Sequence, residues 1–330
     1  MTLPHIAVLS LGGTISSTRS GSGPGVTPTL TGEMLVESVP EIAEVAEVSA
    51  AAFRQLPSPE ITIDDLVELA AEISHRVDEG AAGVVVTQGT DTIEESSFVL
   101  DLLLDLDAPV VVTGAMRNPT LPGADGPANL LASVQVAASE AARGLGAVVV
   151  FNDEIHAARY VRKTHTQSTA TFKSPPVGPL GWVSEGTPRV AVRLVERHHV
   201  DLPAGSQDQP VALLAGALGD DGRLFPAVKE LGYTGLVVEA TGGGHMPSAT
   251  VGPLADLAGE IPVVLASRTG SGEVLRRTYG FPGSETDLLS RGLIAAGPLD
   301  GRKARLLLSL LLRSGAKKDE ISRTFDRWLR

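Results

Sequence analysis

The chain has 330 residues, 43% hydrophobic and 20% charged, which is enough for two domains that each bury a core. Its formal net charge of −12 argues against nucleic acid as a partner, because phosphate contacts need clustered Lys and Arg. It has no cysteine, which removes disulfides, thiolate zinc sites and Cys nucleophiles.

Read in chain order, Ile6–Leu9 is a strand that opens the chain without a basic segment, a long apolar segment or a cleavage site. The expectation is therefore a soluble, cytoplasmic protein. The strand runs into Ser10-Leu11-Gly12-Gly13-Thr14, and the Gly/Ser-rich stretch from Ser16 to Gly25 follows, either a surface loop or a mobile lid. A short helix is expected near 33–37. A longer one over Ile63–Glu79 carries the apolar stripe Leu66, Leu69, Ala70, Ile73 and Val77. Strand Val84–Val86 leads into Thr87-Gln88-Gly89-Thr90-Asp91-Thr92 and a helix over Glu94–Leu104. Strand Val110–Val112 leads into Thr113-Gly114-Ala115-Met116-Arg117, followed by helix Ala128–Ala142 and strand Ala147–Phe151. This alternation predicts a mostly parallel sheet flanked by helices.

From Pro175 to Pro210 the pattern breaks into Pro, Gly and mixed charge, which reads as a linker. Strands Val211–Leu214, Leu236–Glu239 and Val263–Ala266 then alternate with helices Phe225–Leu231, Pro253–Gly259 and Lys303–Arg313. The expected domains are 1–195 and 211–330, with 196–210 between them. The apolar run Leu306–Leu312, interrupted by Ser309, is far below the ~20 residues of a membrane span, so no membrane is expected.

Three strand ends that carry Gly and Thr suggest one pocket, because ligands of open α/β sheets bind at the carboxyl ends of strands. Each candidate also has a plain alternative. Thr14, Thr90 and Asp91 are good helix caps, and Lys163 taken singly is a surface charge. A phosphate loop is not supported, since neither G-x-G-x-x-G nor G-x-x-x-x-G-K-[ST] occurs. The seven histidines offer no H-x-x-x-H pair, and no metal is expected. A Thr hydroxyl needs a base or relay, and a Lys oriented by Asp91 would supply one.

Five segments, LGGTI, VVVTQGTDTIEE, GAMRNPTLPGADGPANL, KTHTQSTATFKSPPVGPLG and RKARLLLSLLL, together resemble the bacterial-type L-asparaginases, a family that includes glutaminase-asparaginases. The resemblance covers nearly the whole chain. It implies an α/β fold with a larger N-terminal sheet containing a left-handed crossover and a smaller C-terminal α/β domain. It implies hydrolysis of L-asparagine, or of L-glutamine, without a cofactor. Thr14 would be the nucleophile, supported by Thr90, Asp91 and Lys163, and the Ala115 carbonyl would receive the leaving amide nitrogen. Ser58 and Pro59 would stand at the substrate α-carboxylate. Glu273 and His245 would come from a neighbouring subunit of a homodimer or homotetramer.

Three positions depart from the family pattern. The lid position that normally holds Tyr is Val26, Pro57-Ser58-Pro59 replaces Gly-Ser-Gln, and His245 stands where Asn is common. Pro59 brings no N–H to the carboxylate site. A catalytically weak amino-acid-binding or sensing protein on the same fold is the alternative these departures raise.

Overall fold

A computed structural model describes residues 2–13, 17–19, 26–28 and 32–328. Two compact units emerge, Met1–His199 and Val200–Arg330. In the first, the chain runs through β1 (His5–Ser10), β2 (Ser17–Arg19), β3 (Val26–Pro28), α1 (Gly32–Glu37), β4 (Glu47–Ala52) and α2 (Ile63–Asp78). It continues through β5 (Gly83–Thr87), α3 (Ile93–Leu103), β6 (Val110–Thr113), α4 (Gly126–Ala137), β7 (Ala147–Phe151) and β8 (Glu154–Ala157). The unit closes with β9 (Arg162–Lys163), β10 (Phe172–Lys173), β11 (Gly181–Ser184) and β12 (Thr187–Val190).

The main sheet of described residues has eight strands in the order β12-β11-β8-β7-β6-β5-β1-β4. Strands β4, β1, β5, β6 and β7 are parallel, and β8, β11 and β12 add antiparallel pairs, so the sheet is mixed. The Val-rich central strands follow from burial on both faces. Ile6, Val8, Val85, Val111, Val148 and Val150 share a core with Leu130 and Val134 of α4. The alternating Ala7, Leu9, Val84, Val86, Val110 and Val112 are equally buried. Helix α2 turns Leu66, Leu69, Ala70 and Ile73 inward, and its start is fixed by a Thr62–Asp65 capping box.

The stretch read as a linker from Pro175 contains structure. Strands β11 and β12 form a hairpin whose turn residues Glu185 and Gly186 both have positive φ, as a type I′ turn requires. Pro188 stands opposite Val183 there, and Val183 sends its own N–H to Asp153 on the other side. Farther on, Arg197 donates to the Leu104 carbonyl at 2.8 Å and lies 3.5 Å from the Asp101 carboxylate, which fastens this segment to α3. Burial pushes the Asp101 carboxyl up, against the opposing fields of Arg197 and Arg159.

The second unit carries β13 (Val211–Ala215), α5 (Phe225–Glu230), β14 (Gly235–Ala240), α6 (Val251–Glu260), β15 (Val263–Ser267), α7 (Glu285–Ser290), β16 (Ile294–Ala295), α8 (Gly301–Arg313) and α9 (Lys318–Arg327). Its four strands are parallel in the order β13-β14-β15-β16. Leu236, Val238, Leu254, Leu257, Val263 and Leu265 are part of its core. Asp300 caps α8 by accepting from the Arg302 and Lys303 N–H groups. Among the described residues, no helix is long and apolar enough to cross a membrane.

His156 on β8 is fully buried, with Nδ1 2.9 Å from Ser174 Oγ. Burial lowers its pKa to about 4, the Glu154 carboxylate opposes this, and the Lys173 ammonium adds to it. The folded state therefore keeps His156 neutral where the unfolded chain takes up a proton below its ordinary pKa of 6.5. Stability from this group is complete above that value and falls as pH drops toward 4, by about 3 kcal/mol in total. Chemical unfolding across pH 7 to 4 should show a smaller loss in His156→Gln than in the unmodified protein.

Candidate functional site

The parallel strands β4-β1-β5-β6-β7 reverse direction of travel between β1 and β5. Connections leave these two strands on opposite sides, and the crevice between their carboxyl ends is where such sheets bind ligands. The loop after β1 reaches the loop after β5 through backbone alone. Gly13 has φ +93°, and a Cβ placed on it would stand 2.1 Å from the Gly89 nitrogen. Gly89 in turn leaves room for Ser58, since a Cβ there would stand 2.8 Å from Ser58 Oγ. No larger residue fits either position.

Thr14, the expected nucleophile, lies outside the described residues, as do Ser16 and residues 20–25 of the stretch read as a loop or lid. Between those gaps β2 and β3 pair antiparallel, with Arg19 opposite Val26. Thr90 is 6% exposed, in the 3-10 turn Thr90–Thr92 that opens α3. Lys163 comes from β9, 73 positions along the chain, and donates from Nζ to Thr90 Oγ1 at 2.8 Å and to Asp91 Oδ1 at 2.6 Å. Its backbone N–H is taken at 2.7 Å by Glu94 Oε2, from a carboxylate that is 2% exposed. One turn of chain thus grips Lys163 at both ends, with Thr90 and Asp91 on the ammonium and Glu94 on the main chain.

Asp91, Lys163, Thr164, His165 and Thr166 line a cavity of about 330 Å³. His165 Nδ1 accepts from the Gln167 and Ser168 N–H groups, both at 3.0 Å, which puts the proton of the neutral ring on Nε2. Ser58 is buried, and its carbonyl accepts from Thr92 Oγ1 at 3.1 Å, while Pro59 is exposed. Ala115 is 1% exposed at the end of β6. Around it, the Gly114 carbonyl accepts from Asn129 Nδ2 at 3.0 Å. Asp125 accepts from the Met116 and Arg117 N–H groups at 3.0 and 2.8 Å.

Two further expected residues lie in the second unit. His245 Nε2 is 3.1 Å from Glu285 Oε2, and its ring meets Tyr279 and Phe281 edge-on, with centroids at 4.8 and 5.3 Å. Burial would raise the Glu285 carboxyl, but the Tyr279 and Thr278 N–H groups, with His245, hold it below the usual range. Glu273 is exposed, and the carboxylate against His245 is Glu285. The sequence reading therefore passed over Glu94, Asp125, Asn129 and Glu285. The available signals were weak: acids or an amide in a helix's first turn, or Glu-x-x-x after a Gly-Ser pair.

Comparison with known proteins adds to this geometry. Residues 5–196 match the family described as Asparaginase, N-terminal, and residues 210–325 match the Glutaminase/Asparaginase C-terminal domain. The chain belongs to the asparaginase family. Asparaginase-family relatives include the probable L-asparaginase of Deinococcus radiodurans, 37% identical over 98% of this chain and 97% of its own. L-asparaginase 2 of Bacillus subtilis is 34% identical over 99% and 87%, and the glutaminase-asparaginase of Pseudomonas aeruginosa is 30% identical over 98% and 90%. The crystal structure of a probable cytoplasmic L-asparaginase from Campylobacter jejuni superposes with a TM-score of 0.89, at 31% identity, over 98% of this chain and 99% of that one. The protein is thus an amidohydrolase of the asparaginase family, with the mixed sheet and the smaller parallel sheet described above.

The close backbone approach at Gly13 gives a direct test. Gly13→Ala combines a positive φ with a Cβ inside the Gly89 backbone, so it should destabilise the first unit by at least ~2 kcal/mol in chemical unfolding. It should also abolish turnover wherever the fold survives.

Proposed function

We propose that the protein hydrolyses L-asparagine to L-aspartate and ammonia, with Thr14 as nucleophile and Thr90, Asp91 and Lys163 as its supporting triad. The observation that carries this is the placement of Lys163 Nζ within hydrogen-bond distance of both Thr90 Oγ1 and Asp91 Oδ1, at the topological switch point of the sheet. Gly13, the residue before Thr14, lies against Gly89, the residue before Thr90. That contact supports a common site for the two hydroxyls.

In this scheme Thr14 Oγ attacks the side-chain amide carbon and gives its proton to Thr90 Oγ1, whose own proton goes to the departing nitrogen while Lys163 donates to the Thr90 oxygen. The C–N bond breaks, ammonia leaves, and an ester to Thr14 remains. Water then cleaves the ester, releases L-aspartate and restores the Thr14 hydroxyl. Asp91 keeps the Lys163 ammonium against Thr90. The Ala115 carbonyl accepts an N–H of the leaving amide, and Ser58 meets the α-carboxylate. Pro59 offers no donor beside it, so substrate affinity rests on fewer contacts.

The α-ammonium calls for a carboxylate. Glu273 fits by its sequence position, and Glu285 is supported by its contact with His245. Both, with His245, would reach the substrate from a neighbouring subunit of a homodimer or homotetramer. L-glutamine is an additional substrate under this proposal, in keeping with the name of the Pseudomonas aeruginosa relative. A cytoplasmic location is supported by the description of the Campylobacter jejuni protein. A second function, amino-acid binding without appreciable turnover, is raised by Val26 at the lid position of the sequence together with Pro59. Calorimetry showing tight L-asparagine binding in a protein that releases no ammonia would establish it.

Ammonia release from L-asparagine should fall by about 10³-fold or more in Thr14→Ala and in Thr90→Val, with circular dichroism unchanged. A normal rate in Thr14→Ala would reject the nucleophile assignment. Glu285→Gln should raise KM more than Glu273→Gln if Glu285 meets the α-ammonium, and the reverse order would assign that role to Glu273.

A further inference from the structure

Asp125 occupies the residue before the first turn of α4, an N-cap position for which Asp is among the best side chains. It does not cap. Its carboxylate leaves the first backbone N–H groups of α4 uncapped and accepts the Met116 N–H on Oδ2 and the Arg117 N–H on Oδ1. Giving up a cap costs helix stability, so these two contacts call for a reason outside α4.

Peptide geometry supplies it. In a planar trans peptide the N–H of residue 116 and the C=O of residue 115 point in opposite directions. Holding the Met116 N–H on Asp125 therefore turns the Ala115 carbonyl away from Asp125. The preceding peptide is fixed as well, since the Gly114 carbonyl accepts from Asn129 Nδ2. Asn129 is itself immobilised: Nδ2 also reaches Asp125 Oδ2 at 3.2 Å, and Oδ1 accepts the Asn152 N–H at 2.9 Å. Asn152 has φ +52° in the β7–β8 turn, so α4, the end of β6 and that hairpin are linked through one buried amide. The Ala115 carbonyl, in a residue 1% exposed, has no hydrogen-bond partner among the described residues.

We propose that Asp125 and Asn129 are a positioning pair that aims the Ala115 carbonyl at the nitrogen of the amide being cleaved. This rests on the amidohydrolase function proposed above. The pair touches no substrate. It acts by fixing two successive peptide planes, so that an acceptor stands ready where the leaving nitrogen carries its hydrogens, with no reorganisation during the reaction.

The test compares L-asparagine with the β-methyl ester of L-aspartate, which has the same acyl and α-amino acid parts but an ester oxygen without hydrogens in place of the amide nitrogen. In Asp125→Ala, kcat/KM for L-asparagine should fall about tenfold to hundredfold, chiefly in kcat, while the ester loses no more than about threefold. Asp125→Asn retains one of the two acceptors and should recover part of the amide rate. It also carries the comparison if the alanine variant does not fold. An equal loss on both substrates would overturn the positioning role and leave the amidohydrolase function standing. If the unmodified protein hydrolyses neither substrate, the proposed function falls, and the positioning proposal falls with it.

Discussion

An ammonium group held between a buried hydroxyl and an exposed carboxylate is what the candidate site depends on. Lys163 reaches Thr90, which is 6% exposed, and Asp91, whose side chain is 64% exposed. An ion pair so open to water contributes little, about 0–1 kcal/mol, and cannot by itself hold a long side chain in one place. The stronger restraint is on the main chain, where the buried Glu94 carboxylate accepts the Lys163 N–H and β9 pairs with β10. Asp91 therefore orients the charge, and Glu94 fixes the point from which that charge is projected.

The sheet provides the place for this arrangement. Central strands that are Val-rich and buried on both faces form a rigid floor, and the reversal between β1 and β5 opens a crevice above it. Glycine at 13 and 89 lets two backbones and the Ser58 side chain approach within van der Waals contact. The candidate groups Thr90 and Asp91 thus follow the end of a rigid strand, the condition under which a site geometry is held to within about 0.5 Å.

Much of this was legible in the sequence, for specific reasons. Parallel strands covered on both faces must be apolar throughout, so Val84–Val86, Val110–Val112 and Ala147–Phe151 announce themselves, and the polar residues at their ends stand out by contrast. Strand β4, EVSAAA, is a half-exposed edge with poor strand formers, and it gave no such signal. The β11–β12 hairpin lies in a Pro- and Gly-rich stretch whose composition imitates a linker. Glu94 and Asp125 escaped notice because they act on backbone N–H groups of other segments, 69 and 8–9 positions away. No side-chain pattern encodes a contact of that kind. Glu273 and Glu285 are alike as sequence, two acids in a loop-rich region, and only burial against His245 separates them.

The outermost strand of the large sheet has one more implication. Val183 directs its N–H toward Asp153, so in the Val183–Pro188 pair the backbone groups face away from one another, and the nitrogen of Pro188 points to the open side. A proline nitrogen carries no hydrogen, which deprives that border of a donor just where an incoming strand would need one. Continuation of the sheet by an added strand is disfavoured at this border, where the ladder would lack a hydrogen bond.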